Sequence, residues 1–84
     1  MVVLDEDLRQ QRRVQLGKAL RSARAAKGLT QEADAEAAGL DRSFYVEVET
    51  AVHGITMDRA MAVADALGVP LAELLEDPVF RPGS

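Results

Sequence analysis

The chain has 84 residues, no cysteine and a formal net charge of −4, which bounds it to one small domain without disulfides or a thiolate metal site. No apolar run approaches the roughly 18 residues of a membrane span, and the opening MVVLDEDLRQQRR sets acids before bases with no apolar stretch, unlike a secretory leader, so a cytoplasmic setting is expected. The charge is divided: residues 1–28 carry seven basic against three acidic side chains (+4), and residues 29–84 three against eleven (−8), so the strongly basic footprint of a nucleic-acid binder is missing.

The pattern predicts an all-α chain of five helices. Leu16, Leu20 and Ala23 fall at helical spacing and predict a first helix over about 7–26. Gly28 stops it, as glycine in the left-handed conformation does. Thr30 caps a second helix over about 31–38. Gly39 makes a short turn, and Asp41 caps a third helix, about 42–50, that buries Tyr45, Val48 and Phe44. The loop AVHGI follows. Thr56 caps a fourth helix, 57–67, with Asp58 favourably near its N-terminus and Gly68 at its end. Pro70 sits in the first turn of a fifth helix reaching about residue 76, where a missing N–H costs nothing. The last stretch, DPVFRPGS, reads as a frayed or docking tail. The expected organisation is an extension of the first helix over 1–12, a domain over 13–77 and a tail over 78–84.

The turn at Gly39 between two short helices fits a helix-turn-helix unit. The stretch LGKALRSARAAKGLTQEADAEAAGLDRSFYVEVE, followed by ITMDRAMAVADALGVPLAELL, resembles the lambda-repressor/Cro-like helix-turn-helix family over 16–75. GLDRSFYVEVE followed by HGIT is most similar to the small controller proteins of restriction–modification systems. The resemblance implies a five-helix, lambda-repressor-like fold and a homodimer that binds double-stranded operator DNA and regulates transcription. It places Gln31 where the family bonds phosphate, and Arg42, Ser43 and Glu47 on the groove-facing side of the recognition helix. Arg42 would take guanine O6 and N7, and Glu47 would accept from cytosine N4. It also implies a structural salt bridge between Arg24 and Glu49. Dimerisation through the fourth and fifth helices, with Leu71, Leu74, Leu75, Val79 and Phe80, is expected on the same ground.

Several positions depart from the family pattern. Asp34 stands in the place of a leucine, in the middle of the second helix. Ala23 and Ala60 replace larger apolar residues, which leaves the core underfilled or repacked by Phe44, Met57 and Met61. After Glu49 the family often has Arg or Asn, then Gly, then a basic residue, and this chain has Thr50, Ala51, Val52 and His53. His53 is the single histidine, better suited to a phosphate neighbour than to a metal. An alternative therefore stands beside DNA binding: a degenerate helix-turn-helix module that binds protein. Catalysis is not expected, because no nucleophile–base set, glycine-rich phosphate loop or cluster of metal ligands is present. Glu47 and Glu49, two apart on a helix, point away from each other. No cofactor, metal, membrane or small-molecule effector is implied.

Overall fold

The computed structural model describes residues 5–82. Five α-helices follow in order: α1 (Asp5–Lys27), α2 (Gln31–Ala37), α3 (Arg42–Glu49), α4 (Met57–Leu67) and α5 (Leu71–Leu74), then a 3-10 turn (Pro78–Phe80). No strand occurs among the described residues. α1 is longer at both ends than the apolar spacing predicts. Asp5, Glu6 and Asp7 in its first turn, and Arg24 and Lys27 in its last, complement the helix dipole. At 1.5 Å per residue it spans about 34 Å, most of the molecule's 42 Å long axis.

Three side-chain caps fix where the shorter helices begin. Thr30 Oγ1 accepts from Ala33 N at 3.0 Å, Asp41 Oδ2 from Phe44 N at 3.2 Å, and Thr56 Oγ1 from Arg59 N at 3.3 Å. Each cap satisfies a backbone N–H that the helix leaves without a partner. Gly39 turns the chain between α2 and α3 at φ +70°, a backbone region that costs other residues roughly 1–2 kcal/mol. Ala51 adopts the same region at φ +66°, where the family resemblance often implies glycine.

The core is contributed by every helix: Leu20 from α1, Ala35 from α2, Tyr45 and Val48 from α3, Val63, Ala64 and Leu67 from α4, and Leu74 from α5. Phe44 is half-buried against it. Of the two alternatives left open, repacking by Met57 and Met61 does not occur; they are 63% and 51% exposed. Helical phase explains this. Val63, Ala64 and Leu67 occupy the inward stripe of α4, and Met57 and Met61, four apart, share the outer face.

α5 is shorter than expected. Pro70 is its N-cap and lies outside the helix, and Leu75 ends it. Pro78 then forces Asp77 into an extended conformation (φ −60°, ψ 139°), as proline does to the residue before it. The tail docks: Arg12 Nε donates to Val79 O at 2.8 Å, which ties the 3-10 turn to α1.

Candidate nucleic-acid interface

α2, the Gly39 turn and α3 form the helix-turn-helix, and a polar cluster beneath them sets their mutual position. Arg24 Nε donates to Glu49 Oε2 at 2.8 Å, and Arg24 Nη2 donates to Glu49 Oε1 at 3.1 Å. This two-pronged grip matches the planar fork of a guanidinium to a carboxylate. Arg24 Nη1 also donates to Leu29 O at 3.0 Å, so α1 is clamped to the start of α2 and the end of α3 at once. Gly17 lets α1 come this close: a Cβ there would collide with the carbonyl oxygen of Glu49.

Burial is the largest influence on Glu49 and raises its pKa. Hydrogen bonds from Arg24, Tyr45 and Gln31 outweigh it, so the carboxyl ends below its usual range and is ionised at neutral pH. The same hydrogen bond to Glu49 is the main influence on Arg24 and holds its pKa above the usual value.

Asp34 is fully buried and points into this cluster, in the register of the leucine it replaces. α2 has therefore not rotated to bring Asp34 outward. Tyr45 Oη donates to Asp34 Oδ2 at 2.7 Å, across the crossing of α2 and α3. Asp34 Oδ1 has no partner. Desolvation dominates and raises the pKa of Asp34, with the Tyr45 hydrogen bond opposing it and the nearby charge of Glu49 adding to it. The Tyr45 hydroxyl is pushed up too, first by burial and then by its two carboxylate neighbours, so it remains a proton donor.

The residues singled out in the sequence fall into two groups. Arg42, Ser43 and Glu47 line one open groove on the outer face of α3, together with Val46. Val46 was not singled out, although its position four residues after Arg42 places it on the same face. Gln31 lies outside this groove. Its Nε2 donates to Glu49 Oε1 at 3.2 Å, which fixes the amide at the N-terminus of α2.

His53 comes back over α3 from the following loop. Its Nε2 lies 2.6 Å from Glu47 Oε2, and its ring stacks on Phe44 with centroids 6.2 Å apart and planes 16° off parallel. The Arg59 guanidinium, from α4, lies 4.9 Å from the centroid of the same Phe44 ring, within cation–π range. No local sequence signal announced this stack.

Three of the six acids that make this segment negative, Asp34, Asp41 and Glu49, are engaged away from the groove. Asp34 and Glu49 are buried, Asp41 caps α3, and Glu47 faces His53. Glu32 and Glu36 are exposed on α2. The groove itself is lined by one guanidinium, one hydroxyl, one isopropyl and one carboxylate, a set that can donate to, accept from and pack on base edges.

A helix-turn-helix family model matches residues 20–74. The chain belongs to the lambda-repressor-like helix-turn-helix family. Its fold is that of a DNA-binding regulator. Among solved structures it is similar to the restriction–modification controller protein C.AhdI from Aeromonas hydrophila. Identity is 38%, the TM-score is 0.74, and the match covers 76% of this chain and 97% of that one. It is also similar to the clp gene regulator ClgR from C. glutamicum, at 36% identity and a TM-score of 0.73, covering 76% of this chain and 83% of that one. No curated protein matches the chain. No helix among the described residues is long and apolar enough to cross a membrane.

Proposed function

We propose that this helix-turn-helix protein is a sequence-specific transcriptional regulator that binds operator DNA as a homodimer, and that a restriction–modification system is its setting. The observation that carries the reading is the groove on α3. Arg42, Ser43, Val46 and Glu47 meet on one open face of a helix whose other face is fastened by Arg24, Glu49 and Tyr45. Arg42 donates to guanine O6 and N7, Glu47 accepts from cytosine N4, and Val46 packs on a thymine methyl. Ser43 bonds a base or a phosphate. Gln31, held by Glu49, and His53, at the edge of the groove, bond phosphates. The dimer forms through α4 and α5, where Met57 and Met61 are exposed and Leu71 and Leu75 only partly covered. The likeness to the controller protein favours the restriction–modification setting.

A second reading, a module that binds protein, draws support from the loop after α3. It has lost the family's basic residues, and Val52 is 60% exposed there. Titration of the wild type and of Arg42→Ala with a selected duplex separates the two. The DNA reading expects Arg42→Ala to lose about 1–3 kcal/mol of discrimination, the worth of one bidentate base contact, with its melting temperature unchanged. Equal affinity and equal base preference in the two proteins would remove Arg42 from the reading face. No duplex binding by the wild type would favour the protein partner.

A further inference from the structure

The loop after α3 lacks the positive charge that lies beside DNA elsewhere in the family, yet the fold brings arginines to it from another element. α1 runs alongside this loop: Gln10 Nε2 donates to Ala51 O at 3.2 Å, and the position of a Cβ on Gly54 lies 3.5 Å from Arg13 Nε. Gly54 is the residue after His53, whose ring reaches the groove-lining Glu47. Neighbouring Cα atoms are about 3.8 Å apart, so Arg13 stands one residue behind the edge of the reading face. Arg9 lies one helical turn before Arg13, on the same face of α1. Arg12 flanks them, its guanidinium held by the carbonyls of Val79 and Arg81.

These three guanidinium groups border one shallow groove that Leu16, Ile55 and Phe80 floor. Among the described residues no carboxylate lines it. Among the described residues none of the three arginines forms an ion pair, and the side chains of Arg9 and Arg13 donate no hydrogen bond. Asp5, Glu6 and Asp7 share the helix with them, in the first turn where they face its dipole. Among the described residues the groove is thus a cationic surface with no carboxylate in its lining and Asp5 one turn beyond Arg9, and it adjoins the reading face through His53 and Gly54.

From this placement we infer that Arg9 and Arg13 form a second contact site for DNA, gripping the phosphodiester backbone beside the base pairs that α3 reads. Arg12, fixed by the docked tail, lends charge and holds the groove open. The site rests on the DNA-binding reading above and supplies from α1 the charge that the loop has lost. Two arginines with no other partner match two phosphates of one strand, and such contacts position a protein without reading sequence.

The test is the salt dependence of duplex binding for the wild type, Arg9→Ala/Arg13→Ala and Arg9→Lys/Arg13→Lys. Each phosphate neutralised contributes about −0.9 to the slope of log affinity against log salt, so a dimer losing two contacts per subunit flattens by about 3.6. The alanine variant should show that flattening with base preference intact, and the lysine variant should restore the slope. Arg42→Ala serves as the opposite control: base preference is lost and most of the slope is kept. An unchanged slope in the alanine variant, with DNA binding retained, would overturn the site and leave the DNA reading standing. A change in oligomeric state by light scattering in place of a change in slope would give the groove to an acidic segment of a second copy. A wild type that binds no duplex overturns the reading and the site together.

Discussion

Replacing Asp34 by leucine should make the protein more stable. Asp34 is 0% exposed and carries one oxygen, Oδ1, with no hydrogen-bond partner. Leaving such a group unsatisfied costs roughly 1–3 kcal/mol. A leucine side chain fully buried in its place gains about 1.5–3 kcal/mol relative to exposure. Two losses oppose this. The Tyr45 hydroxyl gives up its acceptor at 2.7 Å and must turn its single proton toward the neighbouring Glu49 carboxylate, which already acts on it electrostatically. The larger side chain must fit a close-packed site, where overpacking costs about 1–3 kcal/mol. The balance favours Asp34→Leu by about 1–2 kcal/mol, and each kcal/mol moves the midpoint of a domain this small by roughly 4–8 °C. Thermal melts followed by circular dichroism should therefore show a rise of roughly 5–15 °C. A midpoint that stays or falls would mean that the carboxylate contributes more to the α2–α3 crossing than its missing partner costs.

Three further outcomes follow from the same cluster. Arg24→Ala leaves the Glu49 carboxylate buried without its main partner, and should cost about 3–5 kcal/mol in urea unfolding; a loss below about 1 kcal/mol, the range of an exposed pair, would contradict the clamp. The two buried carboxyls act on pH in opposite directions. The raised Asp34 pKa makes its contribution largest below the unfolded value and lost as pH rises through the folded one, and the lowered Glu49 pKa gives stability above its unfolded value that is lost as pH falls. Asp34→Asn should therefore remove the decline in stability above pH 4 and keep the acid-side decline; urea midpoints against pH that still fall on the alkaline side would assign that slope to another group. Gly17→Ala sets a methyl against the Glu49 carbonyl oxygen and should cost at least the 1–3 kcal/mol of ordinary overpacking, where a neutral result would show that α1 can move away from α3 freely.

Much of the frame was legible in the chain because it rests on local rules. Thr30, Asp41 and Thr56 cap the helices the sequence assigns to them, and Gly28, Gly39 and Gly68 all take positive φ. The leucine place that Asp34 takes in the family pattern pointed inward, but a rotated α2 that turned it to solvent fitted the chain as well, and only the packed structure decides between them. What could not be read depends on contacts between distant segments. Tyr45 as the donor to Asp34 becomes apparent only when α2 and α3 cross. The close approach at Gly17 needs the carbonyl of a residue 32 positions later. α5 was overextended because Leu74, Leu75 and Glu76 continue a helical pattern that Pro78 cuts short through Asp77. The small Ala23 and Ala60 left open whether Met57 and Met61 turn inward, and the packing decides against it because Val63, Ala64 and Leu67 already fill that face of α4. The loop from Ala51 to Ile55 hid the most: its path carries His53 to Glu47 and Gly54 to Arg13, and no periodicity describes a loop.

The decisive measurement is a selection of bound sequences from a random duplex pool by the full-length protein. A symmetric dimer reading with Arg42 and Glu47 predicts enrichment of a two-fold symmetric site. Its half-sites should be centred about 10 base pairs apart, one turn of DNA or roughly 34 Å, and each should contain a guanine that loses its enrichment in Arg42→Ala. A pool that shows no enrichment after repeated rounds at low salt, or an enriched site that Arg42→Ala selects equally well, would contradict sequence reading by α3.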